Sequence, residues 1–293
     1  MPRLPLVHGA ALAALVALAP SVHAASDPRT WERDFPVARQ PIVRVRTDDA
    51  RVTVRSWKES RVKVRVERLG STEGFVLGHR HPRVEIGKEG NQVTVVARMD
   101  GSSSGLVIST ARLEVEVWLP RQSDLIVDTQ DGGVSVEDVA GHIELETQDG
   151  SVTGRGLRGD IRVRSADGRV SLDDLDGSLR LECHDGHSDV RGRFDRLDAE
   201  SADGGIDIDA RAGSRMRAEW SVRSQDGGIR LRIPHDLAAT LDARTADGSL
   251  VVDFPVQVQG SIRNHEILGD LNGGGPTLRL RCSDGGIRLS AID

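Results

Sequence analysis

Asp-Gly recurs through this chain at a fixed interval. The pairs Asp131-Gly132, Asp149-Gly150, Asp167-Gly168, Asp185-Gly186 and Asp203-Gly204 follow one another in steps of 18 residues. Later steps, at Asp226-Gly227, Asp247-Gly248 and Asp284-Gly285, are 23, 21 and 37 residues. A period of this length marks a stacked-repeat architecture. One repeat is too small to bury its own apolar face, and only its neighbours complete the core.

Aligned on the Asp, the third position on reads Val134, Val152, Val170, Ser188, Ile206, Ile229, Leu250 and Ile287. The fifth reads Val136, Gly154, Leu172, Val190, Ile208, Leu231, Val252 and Leu289. Twelve and fourteen on stand Ile143/Leu145, Ile161/Val163, Leu179/Leu181 and Leu197/Ala199. Alternation with period two is a strand signal, so each repeat holds two short strands with one face inward. Gly141, Gly159 and Gly177 mark the turn between them. Asp-Gly closes the repeat, where Gly is expected to supply positive φ and Asp to bond its own backbone. These carboxylates are therefore read as turn chemistry and not as a row of metal or catalytic groups. The fold expected is all-β, a parallel β-solenoid with about 18 residues per coil.

The sixth position on reads Glu137, Arg155, Asp173, Arg191, Asp209, Arg232 and Asp253. The sign alternates throughout. In a parallel stack these residues sit one above another, about 4.8 Å apart, where opposite charges attract by a few tenths to about 1 kcal/mol per pair. The column penalises slipped registers more than it adds stability, because exposed pairs are individually weak.

The repeats occupy 121–293. Residues 25–120 are read as a β region that starts and caps the stack, with a degenerate copy of the turn and strand at Thr47–Val54 and a hairpin over Arg83–Arg98. Residues 254–276 are expected to hide one further degenerate coil. The last strand, Gly286–Ala291, ends close to the C-terminus, so its outer edge is expected to be bare and open to edge-to-edge self-association.

Residues 1–24 read as a secretory signal peptide: Arg3, an apolar run from Ala10 to Ala19, then Val22-His23-Ala24 before Ala25. The run is too short to span a bilayer. Export to the periplasm, outer surface or medium follows as the expectation. Without those residues the chain carries 38 basic and 45 acidic residues, a net charge of −7, which argues against nucleic acid as a partner.

Cys183 and Cys282 both stand two residues before an Asp-Gly, in a slot that Thr or Ser fills in other repeats. They are expected four or five coils apart, farther than the roughly 7 Å a disulfide spans between Cα atoms, so two free buried thiols are predicted. Cys183-His184-Asp185-Gly186-His187 holds metal-ligand residue types, but adjacent strand residues point to opposite faces, which separates Cys183 from His184. His79-x-His81 is set aside as a loop pair. Trp31, Trp57, Trp118 and Trp220 are spread through the chain and are read as core or cap residues rather than a sugar platform. No catalytic, cofactor-binding or metal-ligating residue is assigned, and no cofactor is expected.

The stretch LEVEVWLPRQSDLIVDTQDGGVSVEDVAGHIELETQDGSVTGRGLRGDIRVRSADGRV, from Leu113 to Val170, resembles a bacterial β-strand-repeat family of candidate adhesins, a domain family of unknown function. The ending LNGGGPTLRLRCSDGGIRLSAID is similar to that family's C-terminal repeat. The resemblance covers about residues 40–293. It implies an adhesin-like or scaffold protein of the cell envelope that is not an enzyme and meets an extended polymer or protein through its repetitive surface. The alternatives from other classes are a carbohydrate-active or metal-dependent β-helix enzyme and an envelope-stress accessory protein.

Overall fold

The computed structural model describes residues 29–70, 81–100, 112–254 and 265–292. The signal-peptide reading of 1–24 and His79 lie outside them. The repeats at 134–147 and 152–165 form the two strands their alternation demands, whereas in the next two repeats the pair runs together into single 14-residue strands, Val170–Cys183 and Ser188–Ser201, which corrects the expectation of two short strands there. Val134–Glu137, Val152–Arg155 and the start of Val170–Cys183 pair in parallel on one face. Ala140–Thr147, Arg158–Ser165 and the end of Val170–Cys183 pair in parallel on the other. Partners on adjacent strands, such as Ile143 and Ile161, are 18 residues apart. Val134, Val152 and Val170 stack in one buried inward column, as predicted. The core lies between the two faces and is largely aliphatic. Each fully buried Val, Leu or Ile in it contributes about 1.5–3 kcal/mol.

The glycine of each Asp-Gly is needed for a different reason from the one its turn suggests. Positive φ is found at Gly141, Gly159 and Gly177 (152°, 111° and 138°), but not at the glycines of the Asp-Gly turns that close the repeats, such as Gly150, Gly168 and Gly186. There the constraint is contact between coils. A Cβ on Gly150 would lie 2.1 Å from the carbonyl oxygen of Gly132. The corresponding distance is 2.0 Å for Gly168 over Gly150, Gly186 over Gly168 and Gly204 over Gly186. A hydroxyl or thiol inside the turn completes the corner. Thr147 Oγ1 accepts from the Gly150 N–H at 3.0 Å, Ser165 Oγ donates to Gly168 O at 3.2 Å, and Cys183 Sγ to Gly186 O at 3.4 Å.

The sheet is mixed, with antiparallel strands added to the parallel repeats, and at both ends the coils do not stack in chain order. Ile42–Thr47 and Arg51–Trp57 form the degenerate first coil. It lies inside the stack, between Asp124–Thr129 with Val134–Glu137 on one side and Gln92–Asp100 with Arg112–Pro120 on the other. Antiparallel strands close this end: His81–Glu89 on Gln92–Asp100, Arg61–Leu69 on Arg112–Pro120, and Thr30–Pro36 on Arg61–Leu69. The predicted hairpin is the first of these pairs.

At the other end the C-terminal coil is inserted. Thr277–Cys282 lies between Trp220–Ser224 and Ala239–Thr245, and Ile287–Ile292 between Ile229–Pro234 and Leu250–Asp253. Both edges of Ile287–Ser290 are therefore occupied, where a bare outer edge was expected. The degenerate segment before it supplies Glu266–Leu271, which pairs antiparallel with Ala239–Thr245 as a terminal strand instead of forming a parallel coil. The insertion also corrects the thiol spacing. Cys183, Ser201, Ser224 and Cys282 are successive partners, so the cysteines stand three coils apart, roughly 14 Å at sheet spacing. Both are free and buried, and burial pushes both thiols above their ordinary range.

The glycine stack makes a paired prediction. Gly168→Ala should destabilise the fold by about 2–3 kcal/mol, because its Cβ meets the Gly150 carbonyl and neither backbone can yield alone. Gly133→Ala, one residue past the same kind of corner, has nothing nearer than Ser151 O at 3.6 Å and should be neutral or slightly stabilising. Urea midpoints of the two variants test this; equal losses would refute the backbone-contact account.

Candidate functional site

The outward side chains form continuous columns along both faces. On the first face, Arg55 pairs with Glu137 and Glu137 with Arg155, which in turn pairs with Asp173. Farther along, Arg191 pairs with Asp209 and Asp209 with Arg232. Ion-pair distances are 3.3 Å for Arg55–Glu137 and 3.3 Å for Arg191–Asp209. Asp209 is the pivot of the column. Its side chain is only 12% exposed, and it also receives the Arg232 guanidinium through two hydrogen bonds, one of 2.7 Å.

The column departs from its expected form at two places. A register shift between Leu172 and Leu175 turns Asp173 toward Arg211, at 2.8 Å. The inserted C-terminal coil puts Ser290 between Arg232 and Asp253, which pairs instead with Arg288 at 3.4 Å. Arg55 was not expected as a member, although its position six after Asp49 carried the signal. A second column, on the other face, runs Glu144, Arg162, Arg180, Asp198, Ser221, Arg279 and Asp242.

The Asp-Gly carboxylates form a like-charge row at the corner of the stack. Asp226 sits between Asp203 and Asp284. Asp226 is exposed, but local desolvation at the corner, and then the two neighbouring carboxylates, hold its carboxyl above the ordinary value of 3.8.

Of the candidate metal motif, the structure brings out only His187. Cys183 points into the core, while His184 and Asp185 are exposed. His187 Nε2 lies 3.6 Å from Asp189 and 3.5 Å from Asp207 on the next coil. One imidazole nitrogen and two carboxylate oxygens thus fall within 4.8 Å of one another. Both carboxylates already hold arginines, Asp189 with Arg169 at 3.2 Å and Asp207 with Arg230 at 2.7 Å. A divalent cation would have to compete with both guanidiniums, so the arrangement works as a cross-coil ion-pair network. The ring fills the space above Gly205, where an added Cβ would meet Nδ1 at 2.9 Å.

Trp220 is fully buried and packs edge-on against Phe194, with ring centroids 6.2 Å apart. Trp31 packs against the core, and Trp118 lies beneath Lys63. Trp57 differs. Its half-buried ring lines a groove of about 590 Å³ where three connecting segments meet: Val37–Gln40, Trp57–Ser60 and Pro120–Gln122. Arg39, Lys58 and Arg121 rim it. No local motif in the sequence marks these residues as neighbours, because they meet only through the interleaved order of the first coils.

Residues 43–290 match the family described as Toastrack DUF4097. No curated protein matches the chain. Among solved structures, a candidate adhesin from Parabacteroides merdae is 9% identical, with 89% of this chain and 96% of that one covered and a TM-score of 0.46. A candidate adhesin from Bacteroides fragilis is 10% identical over 90% of this chain and 97% of that one, with a TM-score of 0.36. A candidate cell adhesion protein from Clostridium sporogenes is 11% identical over 90% of this chain and all of that one, with a TM-score of 0.29.

Two outcomes test the electrostatics. Asp209→Asn should cost about 1–2 kcal/mol at low salt, since it strands Arg191 and Arg232; both arginines are about half exposed, which limits the loss. An unchanged denaturant midpoint would show that the column carries no stability. Asp226→Asn should act in the opposite direction. A carboxyl whose folded pKa is raised favours the fold while protonated, and that contribution is lost as pH rises above 3.8 and through the raised value. The variant should therefore melt higher than the parent at pH 7, and the gap should close toward pH 3. A gap that persists in acid would point to another cause.

Proposed function

The chain belongs to the Toastrack family, and we propose that this member is an exported, non-enzymatic, adhesin-like protein of the cell envelope that holds an extended partner against its stacked surface. One observation carries the reading. The outward residues of successive coils stand in fixed columns, with ion pairs along them (Arg55–Glu137, Arg191–Asp209, Arg180–Asp198) that hold side chains in a repeating array. Spacing of about 4.8 Å along the stack presents a partner with many equivalent, pre-ordered contacts. A polymer or an extended chain can engage several at once, and linked weak contacts raise avidity without a deep pocket. The backbone contacts at the Asp-Gly corners keep the array rigid, which lowers the ordering cost of binding.

Export rests on the leader-like composition of residues 1–24. A fusion of those residues to a leaderless alkaline phosphatase, which needs disulfides formed outside the cytoplasm, should be active in cells. The purified protein should bind washed bacterial envelopes saturably, and binding should weaken as ionic strength rises. A reporter that stays inactive would overturn export. Unsaturable or absent binding, or release of sugar from the envelopes, would overturn the adhesin-like reading.

A further inference from the structure

We propose that the groove around Trp57 is a binding site for a carboxylate-bearing sugar, such as a uronic acid unit of an acidic polysaccharide. The inference deepens the adhesin-like reading and rests on it. Its first support is charge. Arg39, Lys58 and Arg121 line the groove, are exposed, and make no ion pair among the described residues. The acidic residue of the lining, Glu59, is already neutralised by Arg61 at 2.6 Å. In a chain whose acids outnumber its bases by 45 to 39, three uncompensated cations around one groove make a local anion site.

The second support is shape and lining. A volume of about 590 Å³ falls in the range of small-ligand pockets, about 300–1,000 Å³. Trp57, Val37 and Pro120 give it apolar surface, and an aromatic ring can pack against the C–H face of a pyranose while its polar neighbours take the hydroxyls. Gln40 and Gln122 add amide donors and acceptors for those hydroxyls. An acidic peptide fits less well, because strand addition needs a free edge. Arg51–Trp57, which ends at the groove, is paired on both sides over Val52–Arg55, and at the groove end only Ser56 and Trp57 keep one side unpaired, too short a stretch for strand addition.

The third support is preorganisation. Asn91, from the tip of the neighbouring hairpin, pins the Val37–Gln40 segment. Its Oδ1 accepts from the Ala38 N–H at 2.8 Å, and its Nδ2 donates to Arg39 O and Gln40 O at 3.2 and 3.4 Å. Gln40 is held in the left-handed region at φ 50°, a conformation that costs energy and persists only where surrounding contacts impose it. The Trp57 indole N–H donates to Arg61 O at 2.8 Å, and the Arg61 guanidinium covers one ring face at 5.0 Å. Val37 N–H donates to Ser60 O at 3.1 Å and joins two of the three segments. Rims held in this way lose little freedom when a ligand enters.

The test is calorimetric titration of the purified protein with trigalacturonate, with neutral trigalactose and triglutamate as comparison probes. Trigalacturonate should bind, with affinity falling as salt rises, and the other two should bind at least tenfold more weakly. Arg39→Gln combined with Arg121→Gln should lower the affinity at least tenfold with an unchanged melting temperature, and the lysine pair at the same positions should restore part of it. Trp57→Ala should weaken binding without altering its salt dependence. Absence of trigalacturonate binding, or binding indifferent to the arginine pair, would overturn the site. Equal binding of triglutamate would overturn the sugar assignment in favour of an acidic peptide. If envelope binding persists while trigalacturonate fails, the groove inference alone falls; if both fail, the adhesin-like reading falls with it.

Discussion

Each coil turns its Asp-Gly corner directly against the backbone of the coil beneath, with no space for a side chain. The chain of contacts runs from Ala50 through Gly132, Gly150, Gly168, Gly186, Gly204, Gly227 and Gly285 to Gly248. Because carbonyl meets Cα at these corners, the two faces are held at a common register. The inward valines, leucines and isoleucines then stack in columns, and the outward charges come into line. A larger residue at one corner would push two coils apart and strain the sheet pairing on both faces together.

That register has electrostatic consequences of both signs. On the faces it places Arg191 and Arg232 on either side of Asp209, the most buried charge of its column. At the corner the same regularity stacks carboxylates on one another, and Asp226 is held above its ordinary range between Asp203 and Asp284. Every repeat carries an Asp at this corner, so stacking the repeats brings the carboxylates together. Opposite charges stacked on the first face, as at Arg191, Asp209 and Arg232, act in the other direction.

The binding surface has two scales. The columns offer repeated contacts along the stack, whereas the groove at Trp57 is a single concave site made by segments that interrupt the repeat. Connecting segments on a rigid scaffold are where recognition residues usually stand. Here the rigidity has an identifiable source, since Asn91 ties the hairpin tip to the Val37–Gln40 segment. A polymer carrying carboxylates could anchor one unit in the groove while its neighbours meet the columns.

Periodicity in the sequence was enough to determine the strands, the buried column of Val134, Val152 and Val170, the free thiols and most of the charge column. These follow from residues a fixed distance apart meeting after one coil. Coil order was not legible, because every coil presents the same apolar register and any one can stack on any other. Only the tertiary structure decided that the first coil lies inside the stack and that the last is inserted between Trp220–Ser224 and Ala239–Thr245. The role of the Asp-Gly glycines was hidden for a related reason. Their constraint is a carbonyl from the neighbouring coil, whereas turn chemistry looks only along the chain. Arg39, Lys58 and Arg121 lie apart in sequence without a shared period, and the fold alone makes them neighbours.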